Sequence, residues 1–360
     1  MNKFIFILSI PLIQTVSIAG YGDAVDGYPG WEERILLVLV NECRMAPQEF
    51  RSRYLNDSTI LLTQNYPAVN PLYWILDLNK SARFHSQDMA SNCGLIHNSC
   101  DGTSAETRIR SFYKSGNYWG ENIAYNSPNS LSVLKLWLLE NTKPPYPLDN
   151  TADGHRKNIM NSAFLESGTG LSLRPSDKAP YWTQDFGNGT NASSNIPIPA
   201  ASHYFFKSSE ITFIANVFTK STVQSVSVAL DGTNRSMSLE MGTQSRGTYI
   251  LSLPRSTNCR KYYFLVKTGD NVTWRYPAEG ELVTYGEGNC TDNYAPPLGI
   301  SPDKRLSKVN ITRAKSKYDL WLDLQGKKIE SKKISGIGMI CNKNGYFEKV
   351  NTLENRRDIH

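Results

Sequence analysis

Five histidines occur in this chain of 360 residues, and three of them, His85, His97 and His155, fall in its first half. Carboxylates accompany them in three local settings. His97 runs into Asn98-Ser99-Cys100-Asp101, Glu121 lies within Gly120-Glu121-Asn122-Ile123-Ala124, and Asp153-Gly154-His155-Arg156-Lys157-Asn158-Ile159-Met160 surrounds the third histidine. Glu140 follows Trp137 by three residues. Imidazole and carboxylate together are a ligand set for a divalent cation. Spacing alone makes no metal signature, because no His-Glu-x-x-His is present and the groups lie tens of residues apart. Ser99 and Gly168-Thr169-Gly170 are available as hydroxyl bearers, yet no motif orients either as a nucleophile. Gly-rich phosphate loops and zinc-knuckle spacings are missing, which argues against nucleotide and nucleic-acid roles.

These groups need elements to position them. Residues 29–54 read as helix, with Ile35, Leu36, Leu39 and Cys43 at helical spacing and Pro47 opening a further turn. Residues 77–92 are helical again; His85 lies on their apolar side and reads as a packing residue. Residues 104–115 form a short helix capped by Ser104, and residues 130–141 another through Leu131, Leu134 and Trp137. Residues 120–125, 168–173 and 181–186 read as strands, so this half is α+β. The stretch from Asn188 to Ser202, rich in Asn, Ser, Pro and Ala, reads as a linker, with its core at residues 191–202. Beyond it the period changes to two, in Val226, Val228 and Leu230 before an Asp231-Gly232 turn, and again in Tyr249, Leu251 and Leu253. Residues 203–290 are therefore expected to be all-β, most simply an immunoglobulin-like sandwich. Residues 291–360 hold more strand-like runs and are either an extension of that module or a small basic unit of their own.

Lys3, the apolar run Phe4–Ile18 and the small residues Ser17-Ile18-Ala19 read as a signal peptide over residues 1–19. The expected mature protein is secreted, extracellular or periplasmic, without a transmembrane anchor. Six cysteines then meet an oxidising compartment. Cys93 with Cys100 and Cys259 with Cys290 are the expected disulfides; Cys43 either pairs with Cys341 as the remainder or stays a buried free thiol. The net charge of +6 sits in the last sixty residues, where Asp303–His360 carry 14 Lys/Arg against 7 Asp/Glu, a balance of +7. A solvated face explains that excess more simply than an anionic partner does.

Five segments in order resemble the CAP/SCP superfamily of cysteine-rich secretory, antigen 5 and pathogenesis-related-1 proteins, in its bacterial form. They are Asn41 with Arg44, the helix Ala82–Asn98 ending in Cys-Gly-Leu-Ile-His-Asn, Gly120–Ala124, Gly154–Met160 and Trp182-Thr183-Gln184-Asp185-Phe186-Gly187. The resemblance spans about residues 30–187 and implies a CAP domain over residues 29–190, an α-β-α sandwich with a central cleft. It implies that His97, Glu121, Glu140 and His155 converge there and hold a divalent cation, Zn²⁺, Mg²⁺ or Ca²⁺, with Asp153 as a substitute for Glu140. Such a site would lose affinity as pH falls, since protonated imidazole cannot ligate. A structural polar network without metal is the alternative for the same four residues. The family resemblance favours a non-catalytic binding module, with a sterol or fatty acid, or a host or cell-surface protein, as partner. A metal-dependent, protease-like hydrolase is the second reading. The third is a surface adhesin acting through the β region, where Tyr262, Tyr263, Trp274 and Tyr276 either line a sugar site or form strand core.

Overall fold

The computed structural model describes residues 29–189, 196–290 and 293–295, and beyond them three short strands. The expected signal peptide, residues 1–19, lies outside the described residues. The chain divides into two compact units, residues 1–296 and 297–360.

In the first unit the helices and strands follow in the order α1 (Trp31–Met45), α2 (Pro47–Phe50), β1 (Tyr73–Trp74), α3 (Leu76–Asp88), α4 (Ala105–Phe112), β2 (Trp119–Tyr125), α5 (Ser130–Leu139), α6 (Gly154–Met160), β3 (Glu166–Leu173) and β4 (Pro180–Gly187). The four strands form one sheet, β1-β3-β4-β2, in which β1 runs parallel to β3 and the other neighbours are antiparallel. Helix α3 lies on one face of that sheet. It comes so close to β3 that a Cβ on Gly168 or Gly170 would stand 2.0–2.3 Å from its backbone, so only glycine fits there. The opposite face contributes Leu171, Trp182 and Phe186 to a core shared with α1 and α5.

Helix α1, which the Ile35-Leu36-Leu39-Cys43 spacing predicts as a helix, is covered on all sides. Every residue from Glu32 to Met45 is buried. One side meets the sheet and α5. The other meets the β module, whose Ala200, Tyr204, Ile214 and Met241 belong to the same core as Leu36, Val38 and Val40. An unbroken run of six apolar residues, Ile35–Val40, is what a helix covered on all sides requires. The stretch read as linker carries part of that cover through Ala200, while Ile198 and Ala201 are buried in the core of the β module, whose first strand already begins at Ala201.

The β module consists of β5 (Ala201–Lys207), β6 (Glu210–Phe218), β7 (Val223–Leu230), β8 (Thr233–Ser236), β9 (Ser238–Thr243), β10 (Arg246–Pro254), β11 (Lys261–Thr268), β12 (Thr273–Tyr276), β13 (Glu281–Val283) and β14 (Tyr294–Ala295). It is all β, in two sheets ordered β5-β6-β10-β9 and β14-β13-β11-β7-β8, with β12 paired to β11. Phe213, Ala215 and Val217 of β6 share one core with Val226 and Val228 of β7 and Phe264 and Val266 of β11, so the period of two is a buried face. Asp231 and Gly232 take positive φ (47° and 78°) in the two-residue turn joining β7 to β8. In the second unit β15 (Leu320–Leu322), β16 (Gly338–Cys341) and β17 (Phe347–Val350) form an antiparallel sheet in that order.

Candidate functional site

Strand β2 is an edge of its sheet, and successive residues of a strand point to opposite faces. Glu121 turns to the α3 side, where it pairs in register with Asp185 of β4. Asn122 turns to the other side and meets α6. The two faces thus deliver different groups to one edge, and a cavity of about 890 Å³ lies over it, lined by His97, Glu121, Glu140, His155 and Asn158 among others.

On the α3 side, His97 hydrogen-bonds through Nδ1 to Glu121 Oε1 at 2.8 Å. It rides on the loop closed by the Cys93–Cys100 disulfide. Arg108 of α4, 2% exposed, ties the two together: one guanidinium nitrogen donates to the His97 carbonyl (2.9 Å) and Ser99 Oγ (3.3 Å), and another to Glu121 Oε2. Burial pushes the Glu121 carboxyl up, but the His97 hydrogen bond and the Arg108 charge outweigh it, and the net shift is downward. Asp185 shows the reverse. Desolvation and the neighbouring Glu121 charge push it well above the ordinary carboxylate range. His85 is fully buried, donates from Nε2 to the Ile96 carbonyl (2.9 Å), and is pushed down to about 4 by desolvation and then Arg108. It is a neutral packing residue, as its apolar position suggests.

On the α6 side, His155 hydrogen-bonds through Nδ1 to Glu140 Oε2 at 2.6 Å. Glu140 closes α5 in the left-handed region (φ 59°), and its other oxygen accepts the Arg156 N–H, capping the first turn of α6. The substitute, Asp153, is engaged elsewhere, with Tyr66, the Asn150 N–H and Lys157. The Gly-Glu-Asn and His-Arg-x-Asn segments interlock: Asn158 Nδ2 donates to the Glu121 carbonyl (3.1 Å) and to Asn122 Oδ1 (2.9 Å), while Asn122 Nδ2 donates to the His155 carbonyl (3.3 Å). Arg156 is buried against Asp149 and the Leu138 and Pro147 carbonyls. Arg44 of α1 donates to the Ile159 carbonyl in the last turn of α6, to the Asn161 and Phe164 carbonyls beyond it and to the Asn70 carbonyl, so this arginine of α1 holds the element that carries His155. Asn41, its partner, exchanges two hydrogen bonds with the Leu72 backbone.

The expected four-residue ligand shell is therefore arranged as two histidine–carboxylate pairs facing one cavity. A carboxylate oxygen can only accept, so at neutral histidine each Nδ1 carries the proton and each Nε2 is left with a lone pair. Among the described residues, the one trio of metal-ligating atoms within 4.8 Å is Asp88 with Cys93 and Cys100, and those sulfurs are bonded to each other. Cys259 and Cys290 form the second disulfide, and Cys43 is a buried free thiol. Arg108 and Asp185 escape sequence reading. Arg108 sits two residues from the half-buried Arg110 in the same helix, with nothing local to tell them apart; Asp185 offered one signal, a charged residue inside the run Tyr181–Phe186. In the β module Tyr262 is fully buried, and Trp274 and Tyr276 pack on the core, so these three do not form an aromatic platform.

No helix among the described residues is long and apolar enough to cross a membrane. Residues 38–186 match the family model of CAP, the Cysteine-rich secretory protein family. YkwD of Bacillus subtilis (strain 168) is 33% identical over 118 residues, which are 33% of this chain and 40% of that protein. The chain spans less than half the length of the curated relatives it matches. An outer surface protein of Borrelia burgdorferi shares 19% identity at a TM-score of 0.32, covering 44% of this chain and 93% of its own. An extracellular SCP-domain protein of Bacillus anthracis shares 26% identity at a TM-score of 0.27, covering 41% and 40%. With the ordered segments, the sheet and the family match coinciding, residues 38–186 of this chain are a CAP domain of the Cysteine-rich secretory protein family.

Proposed function

We propose that the protein is an exported binding module whose CAP cleft takes a divalent cation through the Nε2 atoms of His97 and His155. The observation that carries this reading is the double pairing of each Nδ1 with a glutamate, which fixes the tautomer and ring orientation that a metal-binding imidazole needs. Glu121 and Glu140 then serve as carboxylates behind the ligands. Two nitrogen donors suit Zn²⁺ better than Mg²⁺ or Ca²⁺, which call for the carboxylate oxygens already engaged with Arg108, the Arg156 N–H and the imidazoles. A bound cation there would supply Lewis acidity and open coordination positions for an anionic or carbonyl ligand.

The lining sets His97, Glu121, His155 and Lys157 beside Val69, Tyr118 and Met160, so it suits a ligand with a polar group and an apolar part. Two disulfides support export. The β module is read as an immunoglobulin-like sandwich that braces α1. A hydrolase reading gains nothing from Ser99, whose Oγ is buried and bonded to Arg108.

Titration calorimetry of the whole chain with Zn²⁺, Mg²⁺ and Ca²⁺ at neutral pH, beside His97→Ala/His155→Ala, is the test. Tight zinc binding lost in the double variant is expected. Equal heats in both proteins, or none in either, would leave the four residues as a structural polar network.

A further inference from the structure

The loop that presents His97 is unevenly held. Its C-terminal half is anchored: Cys100 N–H donates to Asp88 Oδ2 (2.7 Å), Ser99 N–H to the Thr103 carbonyl (2.8 Å), and Arg108 to Ser99 and the His97 carbonyl. Its N-terminal half is not. Gly94 turns in the left-handed region (φ 77°) after a π-helical turn, Met89–Cys93, and Leu95 and Ile96 stand 52% and 47% exposed. Beyond the Ile96 carbonyl bond to His85 and the Gly94 N–H bond to Met89, what returns this half to its place is the Cys93–Cys100 bond. The His97 ring is itself more than half exposed and meets Glu121 through one hydrogen bond. Cys93 is exposed and Cys100 partly so, which leaves the bond open to attack by an external thiolate.

We propose that the Cys93–Cys100 disulfide is a redox-sensitive clamp that keeps His97 paired with Glu121, so that its reduction withdraws one imidazole from the cleft. In the step, a dithiol gives up two electrons and two protons and becomes a disulfide; the Cys93–Cys100 bond accepts them and becomes two thiols. With the ring open, residues 94–96 regain backbone freedom, His97 keeps its carbonyl bond to Arg108, and the single His97–Glu121 bond no longer fixes the imidazole. Glu121 stays in place, held by Arg108. The clamp deepens the cation reading of the cleft, and rests on it only for its effect on zinc.

Histidine-labelled NMR of the full chain at pH 8.5, above the usual imidazole pKa, reads the clamp without metal. The pairing requires the Nδ1–H tautomer at His97, whereas an unheld imidazole prefers Nε2–H. The expected result is Nδ1–H at His97 in the oxidised protein and in Cys259→Ser/Cys290→Ser, and Nε2–H in Cys93→Ser/Cys100→Ser and after dithiothreitol treatment of the wild type. His155, held by Glu140 outside the loop, should keep its Nδ1–H signal in every sample and so reports an intact domain. An unchanged His97 tautomer in both the serine variant and the reduced wild type overturns the clamp. Zinc titration then uses the serine variant, because the freed thiols and Asp88 would compete for the metal. About a tenfold or greater loss of affinity is expected. Zinc binding to neither form, with the tautomer switch present, overturns the cation reading of the cleft and leaves the clamp standing.

Discussion

Each glutamate of the site does two jobs, and the jobs differ in cost. Glu140 orients His155 and caps α6 through a backbone N–H, with no buried cation to neutralise. Glu140→Gln removes one acceptor and turns an amide N–H toward an existing donor. It should weaken zinc binding tenfold or more and lower stability by about 1–2 kcal/mol. Glu121 instead neutralises a buried arginine, so Glu121→Gln strands Arg108 and should cost about 3 kcal/mol or more in urea unfolding. Equal stability losses in the two variants would mean that Arg108 finds another counter-charge. The sequence displays the four site residues because their local settings are ordered along the chain, but not which neighbours hold them. Asn122 and Asn158 were inside recognisable segments, yet their mutual hydrogen bond joins residues 36 apart and exists only once β2 meets α6. Asp185 and Arg108 come from elements whose relation to Glu121 is set by strand register and helix packing; a charge inside the strand run marks Asp185 as unusual but names no partner, and Arg108 leaves no local pattern.

At the level of elements, boundaries were legible wherever a period of 3.6 or 2 ran between caps, as in α4 after Ser104, whose Oγ accepts the Thr107 N–H. Covering was not legible in the same way. Nothing local in Gly168-Thr169-Gly170, read as strand, tells that a helix backbone touches it. The structure assigns the glycines to contact with Leu78–Asn79 and Ala82–Arg83. Gly170→Ala should therefore force α3 off the sheet and destabilise by about 1–3 kcal/mol. It should also disturb the His97 side of the cleft, because α3 leads into the disulfide loop. Thermal unfolding gives the first quantity, and His97 and His155 signals in one NMR spectrum give the second. A variant as stable as the wild type would show that α3 can retreat without loss.

The first unit, residues 1–296, is knit at α1, and that seam contains an unusual histidine. Trp31 stacks on His203 (5.5 Å between centroids) and donates its indole N–H to the His203 carbonyl. The His203 ring is fully buried; Nε2 meets the Tyr285 carbonyl at 2.9 Å and Nδ1 the Tyr262 hydroxyl at 2.6 Å. A carbonyl only accepts, so Nε2 carries the proton and Nδ1 accepts from Tyr262, an arrangement that a second ring proton would break. Desolvation, with a lesser push from Arg34 and Arg260, lowers this histidine to about 3. In the unfolded chain it titrates near 6.5. Below that pH the unfolded state binds a proton that the folded state refuses, so the contribution to stability is full above pH 6.5 and shrinks as pH falls toward 3. The slope is about 1.4 kcal/mol per pH unit for each such group, and His85, lowered to about 4, adds to it over part of the range. The protein should thus lose stability steeply between pH 6.5 and 4. His203→Gln retains a donor for Tyr285 and an acceptor for Tyr262 without titrating. It should start less stable at pH 7.5 and lose less on acidification. Urea unfolding at half-unit pH intervals compares the two slopes; parallel curves would place the acid sensitivity outside the seam. A shallower curve for the variant would establish that acid loosens the joint between α1 and the β module, the joint on which the position of Arg44, and through it α6 and His155, depends.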